Sequence, residues 1–242
     1  MLKRVPIAPD AAHCSSCMLG HVCIPIGMAA AEVEKLDDLV NERVRVEKGN
    51  TLYELDTPLD AVFGVRYGSL KTQLEDAAGQ LQITGFHLPG EIVGLDGMLE
   101  SRHVSNAVAL EDSEVCVIRI AEIDRVASHL PSLQQQFRRL MSREISRSHQ
   151  MLATLGSLRS EQRLAAFLLN LSQRYAALGY SSTEFVLRMS REEIGNYLGL
   201  TLETVSRLFS RFAREGLIRI NQREVRLLDP QALRQLLGHE HC

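Results

Sequence analysis

The spacing of hydrophobic and polar positions changes along this 242-residue chain, and each change predicts a different kind of element. Residues 31–40 carry apolar side chains on one face of an amphipathic helix: Val33, Leu36, Leu39 and Val40. Residues 43–120 form short, partly alternating segments that glycines separate. Short strands with glycine turns at this spacing predict an antiparallel barrel or roll.

A long helical stretch follows Pro131. One stripe on it advances by steps of four and three residues, which is the spacing of a coiled-coil seam: Met141, Ile145, Ser148, Leu152 and Leu155. A second stripe, with Leu133, Phe137 and Leu140, is expected to pack on its own domain. Two stripes on one helix favour a homodimer, and the alternative is a helix packed on its own domain alone.

The C-terminal pattern predicts a helix-turn-helix after an amphipathic helix at residues 161–178. Ser190 and Glu193 have the spacing of a capping box, so a short helix begins there and ends near Gly199. Thr201 is a good N-cap for the next helix. We expect the buried stripe of that helix to contain Leu202, Val205, Leu208, Phe209 and Phe212. Residues 217–229 predict a two-stranded wing, with its turn at Asn221 and Gln222.

The opposite face of the second helix carries side chains suited to DNA. Glu203, Ser206 and Arg207 match base edges in a major groove, where glutamate accepts from cytosine and arginine donates to guanine. Three further arginines are expected to meet phosphates: Arg188, Arg211 and Arg214. The alternative is an ordinary solvated face of a surface helix.

The balance of charged residues differs between the two parts of the chain, and the C-terminal part has the cationic excess. Residues 159–242 carry 12 cationic side chains, all of them arginines, and 9 acidic ones, whereas residues 1–158 carry 15 and 21. Arginine is the side chain best shaped for phosphate and guanine. The balance favours double-stranded DNA as the partner of the C-terminal region.

Composition is that of a globular protein, with 45% hydrophobic and 24% charged residues. Neither a signal peptide nor an apolar run long enough for a bilayer is present in the sequence, which predicts a cytoplasmic location. No GxSxG, P-loop, GxGxxG or HExxH motif occurs, so we expect no catalytic residues and no enzyme. The polar loop of Glu75, Asp76 and Gln80 is either a contact for RNA polymerase or a solvated turn.

The segment HCSSCMLGHVC concentrates Cys14, Cys17 and Cys23 near the start of the chain. Three closely spaced thiolates need a fourth to hold an iron–sulfur cluster, and Cys116 and Cys242 are the candidates. Zinc on the same thiolates is an alternative, and Cys116 by itself is also typical of a buried core thiol. The neighbouring His13 and His21 are expected to be exposed rather than ligands.

The chain resembles the CRP/FNR superfamily of bacterial transcription regulators, most closely the FNR-type branch. The resemblance rests on the cysteine segment, GFHLPGEIVGLD, EQRLAAFLLNLSQR and IGNYLGLTLETVSRL. It implies an α+β fold with an N-terminal antiparallel β-roll like a cyclic-nucleotide-binding domain, a long dimerisation helix and a C-terminal winged helix-turn-helix. The expected domains are a cluster-binding loop (1–30), a sensory β-roll (31–130), the dimerisation helix (131–158) and the DNA-binding domain (159–242).

The resemblance also implies a chemistry. It implies an oxygen-labile [4Fe–4S] cluster on Cys14, Cys17, Cys23 and Cys116, whose presence favours a homodimer that binds DNA. Glu203, Ser206 and Arg207 would then read a TTGAT half-site, repeated as an inverted ATCAA. The DNA interface is expected to include Thr201 as well, and RNA polymerase is the expected protein partner.

Two positions depart from the family pattern. Relatives that bind cyclic nucleotide carry a glutamate and an arginine where this chain has Leu95 and Ser105, so cyclic AMP is not the expected effector. Well-known FNR-type proteins carry an acidic residue where this chain has Ser148, so oxygen is expected to control association less sharply here. A related regulator that senses nitric oxide, heme or redox state, a zinc-holding regulator and an iron–sulfur electron-transfer protein are the alternative functions.

Overall fold

The computed structural model describes residues 3–6, 13–75 and 78–238. The chain divides into two compact units, Met1–Glu144 and Ile145–Cys242, and the division falls within one long helix. In the part of the chain that the structure describes, no helix combines the length and apolarity needed to span a membrane.

The first unit contains two antiparallel sheets, as the glycine-separated segments predict. One sheet has the strand order β1-β2-β9-β4-β7 and the other has the order β3-β8-β5-β6. The strands are β1 Lys3–Pro6, β2 Glu42–Val46, β3 Thr51–Tyr53, β4 Ala61–Tyr67, β5 Leu70–Glu75, β6 Leu81–His87, β7 Ile92–Val93, β8 Asn106–Ala109 and β9 Ser113–Arg119. Non-consecutive strands lie side by side in both sheets, which is the topology of a roll rather than of a simple meander.

Short helical segments cover one end of the roll. The predicted helix at 31–40 forms as helix α1, Ala30–Val33, followed by a 3-10 segment, Glu34–Leu39. Leu36, Leu39 and Val40 are buried in the core as expected, whereas Val33 is half-buried. Two more 3-10 segments, Cys14–Ser16 and Leu95–Gly97, and helix α2, Ile120–Ala127, complete this part of the unit.

Helix α3, Pro131–Ser157, is the long helix that the sequence predicts. Leu133 and Leu140 are buried and Phe137 packs against the same core, so the second predicted stripe does contact its own domain. The coiled-coil stripe is largely open to solvent in a single chain, since Ile145 is 56% and Leu152 is 68% exposed.

The second unit is a winged helix-turn-helix. Its elements are α4 Ser160–Ala177, β10 Glu184–Val186, α5 Arg191–Leu198, α6 Leu202–Arg214, β11 Ile218–Asn221, β12 Glu224–Leu227 and α7 Pro230–Leu236. The wing differs from the prediction, because β10 adds a third strand to give the order β10-β12-β11. Its turn also lies one residue later than predicted: Asn221 still pairs with Glu224, and Gln222, with a left-handed φ of 53°, begins the turn.

The predicted helix ends are confirmed. The Ser190 Oγ accepts from the Glu193 N–H at 3.1 Å, and the Glu193 carboxylate accepts from the Ser190 N–H at 2.7 Å. Gly199 ends α5 with a left-handed φ of 63°, and the Thr201 Oγ1 accepts from the Thr204 N–H at 3.2 Å. These caps fix where each helix of the helix-turn-helix begins and ends.

The buried stripe of α6 is shorter than predicted. Val205, Phe209 and Phe212 are buried, and Leu208 is half-buried. The prediction that Leu202 is a core residue is wrong, because Leu202 is 44% exposed. It is the first residue of α6 and lies at the open end of the helix, so the buried stripe begins one turn later, at Val205.

Candidate functional site

The cysteine segment folds as a series of tight turns. The Cys17 N–H donates to the Cys14 carbonyl at 3.4 Å, and the Gly20 N–H donates to the Cys17 carbonyl at 3.1 Å. The Cys23 N–H then donates to the Leu19 carbonyl at 2.9 Å. This compact segment, residues 13–24, is called the thiol loop below.

Three contacts hold the thiol loop on the first unit. The N–H and Oγ of Ser15 donate to the two carboxylate oxygens of Asp37 at 2.9 and 2.5 Å. Ile24 is 3% exposed within the core. At Gly90, whose φ is +86°, an added Cβ would lie 2.5 Å from Val22 Cγ2, so this glycine permits the close approach of the loop.

Cys116 lies on β9, paired with Arg43 of β2 on one side and Gly64 of β4 on the other. Cys14, Cys23 and Cys116 are half-buried free thiols that pack against one hydrophobic cluster. The structure therefore brings two of the three loop thiols and the predicted fourth ligand to the same core, whereas Cys17 is half-buried and does not pack against that cluster.

Burial dominates the electrostatics of these thiols. It raises the pKa of Cys23 to about 12, raises the pKa of Cys14 well above the usual range and also raises the pKa of Cys116. Negative charge on the other cysteines raises them further, whereas Arg43 beside Cys116 lowers the pKa of that thiol. Without a cation these groups stay protonated, and a bound metal centre would replace their protons.

The donor type suits thiolate-bound iron, because Cys14, Cys17, Cys23 and Cys116 are all free, half-buried thiols. Within the described ranges, no three His, Cys, Asp or Glu side chains are arranged to hold a single metal ion. Cys242, the other candidate for the fourth ligand, lies outside the described residues. The ligand set stays a prediction.

The two histidines of the thiol loop differ. His21 is exposed as expected, and its Nδ1 lies 2.8 Å from the Met18 carbonyl oxygen. His13 is half-buried rather than exposed, and its backbone N–H donates to the Ser16 Oγ at 3.1 Å at the start of the 3-10 turn Cys14–Ser16.

The two positions that depart from cyclic-nucleotide binders carry no charge. Leu95 is 7% exposed and belongs to the hydrophobic core. The buried Ser105 Oγ donates to the Asp96 carboxylate at 3.0 Å. These contacts satisfy the two side chains locally, and the expectation that cyclic AMP is not the effector stays a prediction.

In the second unit, the predicted base-reading side chains share the exposed face of α6. Glu203, Ser206 and Arg207 are all exposed. The pKa of Glu203 is lowered, first by its own backbone N–H at the helix start and then by Thr201. Arg207 Nη2 donates to the Thr204 Oγ1 at 3.2 Å. The first turns of α6 therefore present an ionised acceptor beside a cationic donor.

The predicted phosphate contacts are placed differently from one another. Arg188 and Arg214 are exposed, and the Arg188 carbonyl accepts from the Arg223 Nη1 at 3.0 Å. Arg211 instead contacts two carboxylates, Glu161 at 2.6 Å and Glu215 at 2.7 Å. A phosphate would have to compete with both of these carboxylates for the Arg211 guanidinium.

Two arginines that the sequence does not single out join helices in this unit. The guanidinium carbon of Arg191 lies 3.3 Å from the ring centroid of Phe209, which stacks α5 on α6, and burial lowers the pKa of Arg191 to about 10. Arg163 donates to three backbone carbonyls. Hydrophobic periodicity does not predict either contact, because it assigns an arginine near a helix start to the solvent-exposed surface.

Comparison with known proteins assigns both units. Residues 162–236 match the Crp-like helix-turn-helix domain, and residues 43–129 match the cyclic nucleotide-binding domain. The chain is 84% identical to the transcriptional regulatory protein btr of Bordetella pertussis, over 100% of both chains. It is 45% identical to the transcriptional activator protein anr of Pseudomonas aeruginosa, over 94% of this chain and 93% of that one.

Among solved structures, FixK2 from Bradyrhizobium japonicum matches with a TM-score of 0.76 and 28% identity, covering 82% of this chain and 98% of that chain. The relatives are named as transcriptional regulators, which sets aside an enzyme and an electron-transfer protein. The capped helix-turn-helix, the antiparallel roll and full-length similarity to these regulators together establish that the chain is a DNA-binding transcriptional regulator of the CRP/FNR superfamily.

Proposed function

We propose that this regulator responds to oxygen through a [4Fe–4S] cluster held by Cys14, Cys17, Cys23 and Cys116. The cluster would control dimerisation and binding to an inverted TTGAT-N4-ATCAA-like site. One observation carries the proposal: Cys14, Cys23 and Cys116 pack against the same hydrophobic cluster that buries Leu133 and Leu140 of α3. Ligation and the long helix therefore share one core.

The chain's own residues explain how ligation would reach α3. When bound, the cluster supplies an oxygen-reactive cationic centre that joins the thiol loop to β9. Without it, the loop is held by weaker contacts, such as the hydrogen bonds from Ser15 to Asp37. Gly27, just after the loop, lies beside Arg139 of α3, since an added Cβ would be 3.7 Å from the Arg139 Nη1. A change in the loop therefore changes the surroundings of α3.

Dimerisation would use the open stripe of α3: Met141, Ile145, Ser148, Leu152 and Leu155. Met141 is 39% exposed, and the exposed fractions are larger for Ile145 and Leu152. Burying such side chains against a second copy removes apolar surface from water, which favours association. Ser148 adds no charge to this stripe, so the repulsion that an acidic residue would create is absent at that position.

DNA reading would then use one recognition helix from each copy. In the major groove, Glu203 accepts from cytosine, Arg207 donates to guanine and Ser206 contacts either kind of base. Thr201 lies at the start of the same face. Arg188 and Arg214 would face phosphates, and Arg211 would do so in competition with Glu161 and Glu215. A dimer presents its two helices about one turn of DNA apart, which matches an inverted repeat.

RNA polymerase is the proposed protein partner, through the end of the β5–β6 hairpin. Glu75 and Gln80 are exposed there, and Asp76 lies outside the described residues. Exposed polar side chains at a hairpin end are available to a large partner once the protein is on DNA.

Purification without oxygen tests the proposal. We expect a brown protein with about four iron and four sulfide per chain, which binds the inverted site as a dimer and loses that binding after exposure to air. A colourless zinc protein, or a heme protein with a Soret band, would favour the corresponding alternative regulator. Equal operator affinity before and after air would contradict the coupling to oxygen.

A further inference from the structure

The first turn of α4 contacts several other helices of the second unit through polar side chains. Glu161 accepts from Arg211 of α6 at 2.6 Å. Gln162 Nε2 donates at 2.8 Å to the carbonyl of Leu236, at the end of α7. Arg163 follows immediately, so three successive side chains tie this turn to its neighbours.

Arg163 makes the most extensive of these contacts. Its half-buried guanidinium donates from Nη2 to the Leu155 carbonyl at 2.7 Å and from Nε to the Leu158 carbonyl at 2.9 Å. Its Nη1 donates to the Leu198 carbonyl at 3.0 Å. The last carbonyls of a helix have no partner within the helix, and a cation there also interacts favourably with the helix dipole. One side chain therefore joins the end of α3 to the end of α5.

The covalent connection at this point is short. Residues 158 and 159 separate α3 from α4. Rotation about the backbone of two residues would let the helix-turn-helix turn relative to the long helix, so noncovalent contacts must fix the angle. Leu155 lies on one side of this hinge, Leu158 belongs to it and Leu198 lies on the other side, and the Arg163 guanidinium contacts all three.

Gly199 lies beside this contact and adopts a backbone conformation that favours glycine. It follows Leu198 with a left-handed φ of +63°, which ends α5 beside the guanidinium. An added Cβ there would lie 3.4 Å from the Arg163 Nη1 and 3.6 Å from the Leu155 Cδ2. The end of α5, the guanidinium and the end of the long helix are therefore in mutual contact.

We propose that Arg163 is a positioning residue that sets the angle at which the helix-turn-helix is held on the long helix, and so the half-site spacing that the dimer accepts. This role rests on the proposed dimeric reading of an inverted repeat. In such a dimer, the distance between recognition helices depends on how each one is held on its own α3. A rigid guanidinium fork reaches three carbonyls at once, whereas one lysine ammonium does not.

The test compares DNA duplexes whose half-sites are separated by three, four or five base pairs. The full-length protein is prepared without oxygen, together with Arg163→Gln, Arg163→Lys and the control Arg174→Gln, which removes the same charge from the last turn of α4. Anisotropy titrations should show that the unchanged protein and the control prefer one spacing. Both Arg163 variants should lose about tenfold of that preference while binding non-specific DNA equally well.

A purely structural role would lower Tm but would leave the spacer preference of the folded dimer intact, so that result would overturn the proposal. If Arg163→Gln does not fold, the spacer preference of Arg163→Lys decides between the positioning role and a purely structural one. Unfolding of both variants would show that Arg163 acts on stability, against a positioning role. Absence of any spacer preference in the unchanged protein would instead contradict the proposed mode of DNA reading, and the role of Arg163 would fail with it.

Discussion

Arginines on α6 are expected to have different roles in DNA binding although they are the same residue type in the sequence. Arg207 is exposed beside Thr204 in the first half of the helix, and Arg214 is exposed at its C-terminal end. Base edges lie near the start of a recognition helix, whereas its far end meets the DNA backbone. We therefore expect the position on the helix, rather than the residue type, to decide whether an arginine reads a base or contacts a phosphate.

Replacing Arg207 with alanine should lower affinity for the intact half-site about tenfold or more and reduce discrimination against a changed guanine. Replacing Arg214 with alanine should weaken binding to all sequences alike and reduce the salt slope by about 1. Fluorescence anisotropy on specific and scrambled duplexes at several salt concentrations measures both. Equal loss of discrimination in the two variants would show that the assignment of roles is wrong.

The sequence predicts side-chain contacts that follow a local spacing rule, but it does not predict contacts between residues far apart in the chain. The Ser190–Glu193 cap follows from spacing alone and is confirmed. The Arg211 contact with Glu161 spans fifty positions, and the contact of Arg163 with the Leu198 carbonyl spans 35. No periodicity encodes such pairings.

At the scale of elements, the stability of the two helices of the helix-turn-helix depends on their N-terminal caps. The Ser190 Oγ and the Glu193 carboxylate satisfy N–H groups that have no partner within α5. Ser190→Ala should lower the free energy of unfolding of the second unit by about 1 kcal/mol. Ser210→Ala, on the exposed face of α6, is the control and should leave stability nearly unchanged because alanine favours helix. Chemical denaturation followed by circular dichroism measures both, and equal effects would contradict the capping role.

Along its open stripe, we expect the long helix to pack against a partner copy rather than against its own chain. Leu152 is 68% exposed in a single chain, so Leu152→Glu should leave the fold intact while placing like charges opposite each other in the dimer. Gln150→Glu adds the same charge at an exposed position outside the stripe and is the matched control. Sedimentation equilibrium should show a monomer for the first variant and an unchanged dimer for the second. A dimeric Leu152→Glu protein would rule out this interface.

At the scale of the whole molecule, the sequence predicts the order and type of elements well. Alternation with glycine turns gives the roll, and two stripes give the long helix, because both patterns reflect burial directly. The extra strand β10 is not predicted, because its three residues are too few to show a periodic pattern. The thiol site is predicted in composition but not in shape, since the closeness of Cys116 to the loop depends on the whole roll.

In the proposed mechanism, four thiolates would join the thiol loop to β9 and thereby control how tightly two copies bind DNA. The most direct measurement compares the unchanged protein, Cys116→Ser and Cys242→Ser, all prepared without oxygen, for sulfide content and operator affinity. Cys116→Ser should lack sulfide and lose tight operator binding, whereas Cys242→Ser should match the unchanged protein. A Cys116→Ser protein that is brown and binds its operator normally would contradict the account.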